Sequence, residues 1–165
     1  MVKYYNSMVV FEEIPDEITL AINITNCPCH CPDCHSKFLW EDVGTELTND
    51  ELDRLIKAND GITCVCFMGG DAEPSTILLL ASHIKMEFPK LKVGWYSGMD
   101  SIAVKAEHYL CLDYIKTGPF IKERGGLNNP NTNQHLYKKE YSDSETRFND
   151  ITYKFWKAEE KSAVL

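Results

Sequence analysis

No run of apolar residues in this 165-residue chain approaches the ~20 that a membrane-spanning helix requires. The opening Met1-Val2-Lys3-Tyr4-Tyr5 has no apolar signal core either. Positive charge is scarce: 17 Lys and Arg against 25 Asp and Glu leave a formal charge of −8. A protein that neutralises phosphates needs a basic surface, so nucleic acid is not expected as the main partner. Internal repeats and low-complexity linkers are missing as well. These absences point to a cytoplasmic protein that neither enters a membrane nor binds nucleic acid, with residues 1–165 forming one domain. A hydrophobic fraction of 44% and a charged fraction of 25% are ordinary for a globular fold. Cysteine is not scarce. The chain has seven, and in a reducing compartment crowded thiols point to metal or redox chemistry rather than to a disulfide frame.

Four of them fall in Cys27-Pro28-Cys29-His30-Cys31-Pro32-Asp33-Cys34-His35. Cys27, Cys31 and Cys34 form a C-x3-C-x2-C spacing, able to wrap one side of an iron–sulfur cube. Such clusters usually take four thiolates, so a set of three leaves one iron open to chemistry. Zinc accepts the same ligands, and Cys31 and Cys34 with Cys64 and Cys66 could form a four-thiolate site. A disulfide oxidoreductase fits less well, because its CxxC opens a helix and Pro32-Asp33 is followed by no clear apolar period. On spacing alone, cluster and zinc both stand. Cys29 lies outside the spacing and reads as a spectator thiol. Cys64 and Cys66 share one face of a strand and read as small buried hydrophobes, as does Cys111.

Along the chain, Ile18 to Ile24 alternates apolar and polar residues as a strand does, and it runs directly into the cysteine loop. Thr48-Asn49-Asp50-Glu51 reads as a capping box opening a helix with Leu52, Leu55 and Ile56 on its buried stripe. Ile62 to Met68 is a doubly buried strand, followed by Gly69-Gly70-Asp71-Ala72-Glu73. Pro74 suits the first turn of a helix that reaches about Phe88. A third strand, Val93 to Tyr96, ends at Ser97-Gly98. A helix is expected near Asp100 to Glu107 and a fourth strand over Leu112 to Lys116. Residues 123–134 read as a long loop. The tail, 138–165, is expected to pack as a short helix through Phe148, Ile151, Phe155 and Trp156, or to stay flexible.

Strands alternating with helices imply parallel pairing through right-handed crossovers. A closed eight-fold barrel needs ~250 residues, so the expected fold is α/β: an incomplete (β/α) barrel with a parallel sheet, open on one side. Ligands of parallel α/β folds sit at the C-terminal strand ends. The cysteine loop, the Gly69-Gly70-Asp71 turn and the Ser97-Gly98 turn are all expected there.

With these residues placed, the chain resembles radical S-adenosylmethionine (SAM) enzymes. More narrowly, it is similar from about Ile18 to Tyr137 to the activating proteins of anaerobic (class III) ribonucleotide reductases. The run Lys116-Thr117-Gly118-Pro119-Phe120, then Gly125-Gly126-Leu127 and Thr132-Asn133-Gln134, carries the narrower likeness. The resemblance implies a 4Fe–4S cluster on Cys27, Cys31 and Cys34, whose open iron chelates the methionyl group of SAM. It places Gly69, Gly70 and Ser97 beside SAM, with Asp71 or, next to it, Glu73 accepting from the methionyl amine. His35 stands where these activases carry a ring residue near the cluster. Asp33 stands where many relatives have an aromatic, also beside the cofactor. Asn133 and Gln134 are implied contacts to the partner, the large reductase subunit. A flavodoxin or ferredoxin is the implied reductant, and no side chain is required as general acid or base. Two other functions remain open: a radical SAM enzyme acting on a small molecule, like 7-carboxy-7-deazaguanine synthase, and a non-enzymatic zinc module.

Overall fold

A computed structural model describes residues 1–100, 110–142 and 145–157. Among these residues eight strands form one sheet, and two α-helices pack against it. The strands are β1 (Lys3–Val10), β2 (Thr19–Ile24), β3 (Thr45–Glu46), β4 (Cys64–Met68), β5 (Lys92–Tyr96), β6 (Tyr114–Thr117), β7 (His135–Ser142) and β8 (Glu145–Asp150). The helices are α1 (Asn49–Lys57) and α2 (Pro74–Glu87). The spatial order is β3-β1-β2-β4-β5-β6-β7-β8. Only the centre, β2-β4-β5-β6, is parallel. Both flanks are antiparallel, β3 and β1 on one side and β7 and β8 on the other.

This architecture overturns the expected incomplete (β/α) barrel with a parallel sheet. The centre behaves as anticipated because its strands are apolar on both faces. Val65 and Phe67 of β4 point into the core beneath the helices with Leu20, Ile22, Ile77 and Trp95, while Cys64 and Cys66 point the other way, onto Ile14, Tyr114, Leu136 and Ile151. The flanks differ because an antiparallel neighbour needs no crossover helix: residues 11–18 join β1 to β2 and residues 118–134 join β6 to β7. In β1 only Tyr4 is buried, so the sequence offers little sign of a strand there beyond its last apolar residues. Residues 135–150, where no strand was expected and whose part from 138 on was read as a packing or flexible tail, form β7 and β8, and the short 3-10 turn Thr152–Phe155 follows. The helix expected near Asp100 to Glu107 lies, from residue 101 on, outside the described residues.

The two helices start where the sequence places them. The Thr48 hydroxyl accepts from the Glu51 N–H at 3.2 Å, satisfying one of the free donors of the first turn. The reciprocal half of the capping box is not made, because the Glu51 carboxylate instead accepts from Arg54 and the Tyr4 hydroxyl. Leu52, Leu55 and Ile56 form the buried stripe of α1. Pro74 occupies the first turn of α2, which buries Ile77, Leu78, Leu80, Ala81 and Ile84. Because β2, β4, β5 and β6 are parallel, the segments that leave their C-terminal ends share one edge of the sheet. Those segments are the cysteine loop, Gly69-Gly70-Asp71, Ser97-Gly98 and Gly118-Pro119-Phe120.

Candidate metal centre

The cysteine loop leaves β2 through Asn26, which is left-handed at φ +59°, a conformation Asn tolerates better than most residues. The Asn26 N–H donates to the Glu41 carbonyl and the Cys27 N–H to the Leu39 carbonyl, each at 3.0 Å, so the loop is stitched to the chain that returns from it. The His30 ring stacks on Trp40 with centroids 4.7 Å apart. A turn closes from the Cys34 N–H to the Cys31 carbonyl, and the Ser36 N–H reaches the Cys34 sulfur at 3.3 Å. Folded this way, Cys27, Cys29, Cys31 and Cys34 all line one cavity of about 260 Å³.

The turns after β4 and β5 supply the opposite wall. Gly69 and Gly70 have φ of +102° and +98°. A Cβ on Gly70 would lie 2.5 Å from Ile77 Cδ1, so a side chain there is excluded by space as well as by dihedral. Their turn carries Asp71 into the cavity. Its carboxylate accepts from the Ser97 hydroxyl at 2.5 Å and from the Gly98 N–H at 2.9 Å, with the Cys29 sulfur 3.8 Å away. Ser97 is buried and itself accepts from the Met99 N–H at 3.0 Å. Glu73, the other acidic residue of the turn, does not line this cavity. It pairs with the amino group of Met1 and accepts from the Thr76 hydroxyl.

The remaining predicted residues divide. His35 sits on the outer side of the loop, tilted against Phe120 with centroids 5.4 Å apart. It lines a second, open cavity of about 880 Å³, which shares Cys34, Ser36, Met68, Tyr96, Lys116, Phe120 and Gln134 with the first. Asp33 is exposed and lies 3.8 Å from Lys122. Gln134 is buried, donates to the Gly118 carbonyl at 3.3 Å and helps to line both cavities. Asn133 donates to the Pro119 carbonyl at 2.9 Å, while its own side-chain oxygen is buried without a partner. Cys64 and Cys66 stay in the core on the far side of β4, away from the loop thiols.

Sequence reasoning assigned no role to Lys116. It is 8% exposed, lines both cavities, and donates to the Gly118 carbonyl at 2.6 Å and the Ser97 carbonyl at 3.2 Å. A lysine directly after Tyr114 and Ile115 in an expected strand was the available signal, since an ammonium is rarely buried unless it is paired. Burial holds its pKa down to about 8, against the upward pull of Asp71 and of Cys31, Cys29 and Cys27. The consequence for stability has a definite sign. Between about pH 8 and the lysine's usual 10.5, the unfolded chain binds a proton that the cluster-free native protein has lost. Native stability therefore rises with pH across that window. Relative to Lys116→Met, cluster-free wild type is expected to gain about 3 kcal/mol from pH 7.5 to 10.5 in urea unfolding. A constant difference between the two proteins would show that Lys116 is not buried as a cation.

Burial, and after it the charge of Asp71, push the Cys29 thiol up to about 12. Without bound metal it stays protonated, and metal binding would have to release that proton. Among the described residues no three His, Cys, Asp or Glu side chains gather tightly enough to hold one metal ion. The four cysteines instead line one cavity, and thiolates are the ligands polynuclear iron–sulfur clusters take. The donor set fits a 4Fe–4S cluster, with Lys116 a nearby positive charge.

A cavity lined by four cysteines at the C-terminal edge of parallel strands fits an iron–sulfur protein. The family of 4Fe-4S single cluster domains matches residues 18–137, and the chain belongs to that family. Membership supports a 4Fe–4S cluster as cofactor and is compatible with a redox enzyme of the radical SAM type. No curated protein and no solved structure matches the chain. Among the described residues no helix is long and apolar enough to cross a membrane.

Proposed function

We propose that this protein is a radical SAM activase. On this reading it generates a glycyl radical on the large subunit of an anaerobic ribonucleotide reductase, in the cytoplasm, with electrons from a flavodoxin or ferredoxin. The observation that carries the reading is the meeting of Asp71, fixed by Ser97 and Gly98, with the loop thiols across one cavity. A 4Fe–4S cluster held by Cys27, Cys31 and Cys34 would supply one-electron reduction of the SAM sulfonium, the chemistry that yields methionine and a 5′-deoxyadenosyl radical.

The chain's own residues bind and orient. Cys27, Cys31 and Cys34 hold iron. Asp71 accepts from the methionyl amine, and Ser97 and the Gly98 N–H keep its carboxylate aimed. Lys116, buried at the junction of the two cavities, offers a cation to a carboxylate. The 880 Å³ cavity opens the site to solvent beside Cys34 and Phe120. A glycine-bearing loop of the large subunit enters there, with Asn133 and Gln134 near its path. The test is anaerobic: dithionite-reduced, iron-loaded protein with SAM is expected to release methionine and 5′-deoxyadenosine. Adding the large reductase subunit is expected to give the doublet of a glycyl radical in electron paramagnetic resonance (EPR). SAM cleavage with no radical on that subunit would redirect the proposal to another substrate, and no cleavage would end it.

A further inference from the structure

Four thiols, not three, line the cluster cavity, and the position of the fourth is built into the surrounding turns. The Cys29 sulfur stands 3.8 Å from Asp71 Oδ2 and 3.9 Å from the Met99 sulfur. The turn after β5 makes room for it: a Cβ on Gly98 would lie 2.6 Å from that sulfur and 3.3 Å from the Cys29 Cβ. Gly98 thus does two things at once, since its N–H also holds the Asp71 carboxylate. On the loop side, His30 stacks on Trp40, which anchors the residue directly after Cys29. Cys29 therefore lies against the one carboxylate proposed to take the methionyl amine, in a notch with no space for a side chain from β5.

We propose that Cys29 is an exchangeable fourth thiolate. It ligates the iron that Cys27, Cys31 and Cys34 leave open in the resting protein, and it withdraws when the methionyl group of SAM arrives at Asp71. This rests on the cluster assignment above. In the exchange the bond from iron to the Cys29 sulfur breaks and a bond from iron to the incoming amine forms. The proton that the ammonium must lose passes to the departing thiolate, and no electron is transferred. The arrangement shields the reactive corner from oxidants until substrate is present, and it makes SAM binding a competition with a tethered thiolate.

The test compares iron-loaded wild type with Cys29→Ala, both without SAM, after brief anaerobic treatment with ferricyanide. A cube with an open corner sheds that iron and leaves a 3Fe–4S cluster visible by EPR. The Cys29→Ala protein is expected to give a several-fold larger 3Fe–4S signal than wild type. Equal signals in two iron-loaded proteins overturn the role of Cys29 and leave the three-cysteine site standing, whereas wild type that binds no iron overturns both.

Discussion

Cys31→Ala is expected to leave anaerobically reconstituted protein without bound iron and without the brown chromophore of the cluster. The same outcome is expected for Cys27→Ala and Cys34→Ala, whereas Cys66→Ala keeps its iron. Cluster binding uses thiolates that the native loop gathers round one cavity, and removing one leaves two fixed ligands of the three. The free energy of metal binding is also folding free energy where the ligands are ordered only in the native state. Iron-loaded wild type should therefore melt well above its cluster-free form, and Cys31→Ala should melt with the latter. Cys66 lies 0% exposed in the core with its thiol pushed well up by burial. Its loss creates a small cavity and lowers the melting temperature without touching iron. Iron retained by Cys31→Ala and lost by Cys66→Ala would mean that the metal sits elsewhere.

The second large effect falls on Asp71. Asp71→Asn is expected to weaken SAM binding by about 100-fold, the scale of roughly 3 kcal/mol that a charge-assisted partner in a partly desolvated site contributes. The measurement is a SAM titration followed through the EPR signal of the reduced cluster, in protein whose iron content matches wild type. The asparagine keeps the shape of the side chain. It removes the negative charge that would accept from the methionyl amine, and its amide cannot accept from both Ser97 and Gly98 as the carboxylate does. Glu73→Gln is expected to bind SAM as wild type does, because Glu73 faces the Met1 amino group and Thr76. If Glu73→Gln weakened binding and Asp71→Asn did not, the two carboxylates would have to trade roles.

The sequence left those carboxylates unresolved, and the reason is local. Both follow the glycine pair within three residues, and only the path of the turn separates them. Glu73 stands at the N-cap of α2 and is carried outward with the helix, while Asp71 is still inside the turn. The four central strands were legible because each is a short apolar run closed by glycine, a cysteine loop or a polar turn. The flanking strands were not: β1 buries little, and β7 carries Lys138, Lys139 and Glu140, which read as surface. Lys139 is in fact buried, donating to the Leu110 carbonyl, a tertiary contact that no periodicity reveals. Cys29 reads as a spectator in the sequence for a different reason. Ligand spacing describes a motif along the chain, whereas its sulfur is placed by Gly98, nearly seventy residues later.

The stitching of the cysteine loop to the segment Leu39–Glu41 that returns from it has a consequence for how the holoprotein is made. Every loop sulfur lies between Cys27 and Cys34, and the backbone bonds that fold the loop end at Glu41. Closing so short a segment costs little chain entropy. A nascent chain that has emerged only as far as Glu41 already carries all the ligands and the hydrogen bonds that gather them. Asp71, Ser97 and Lys116 are synthesised later. Grip on iron is thus encoded in the first quarter of the polypeptide, and the strands that follow determine what that iron is allowed to meet.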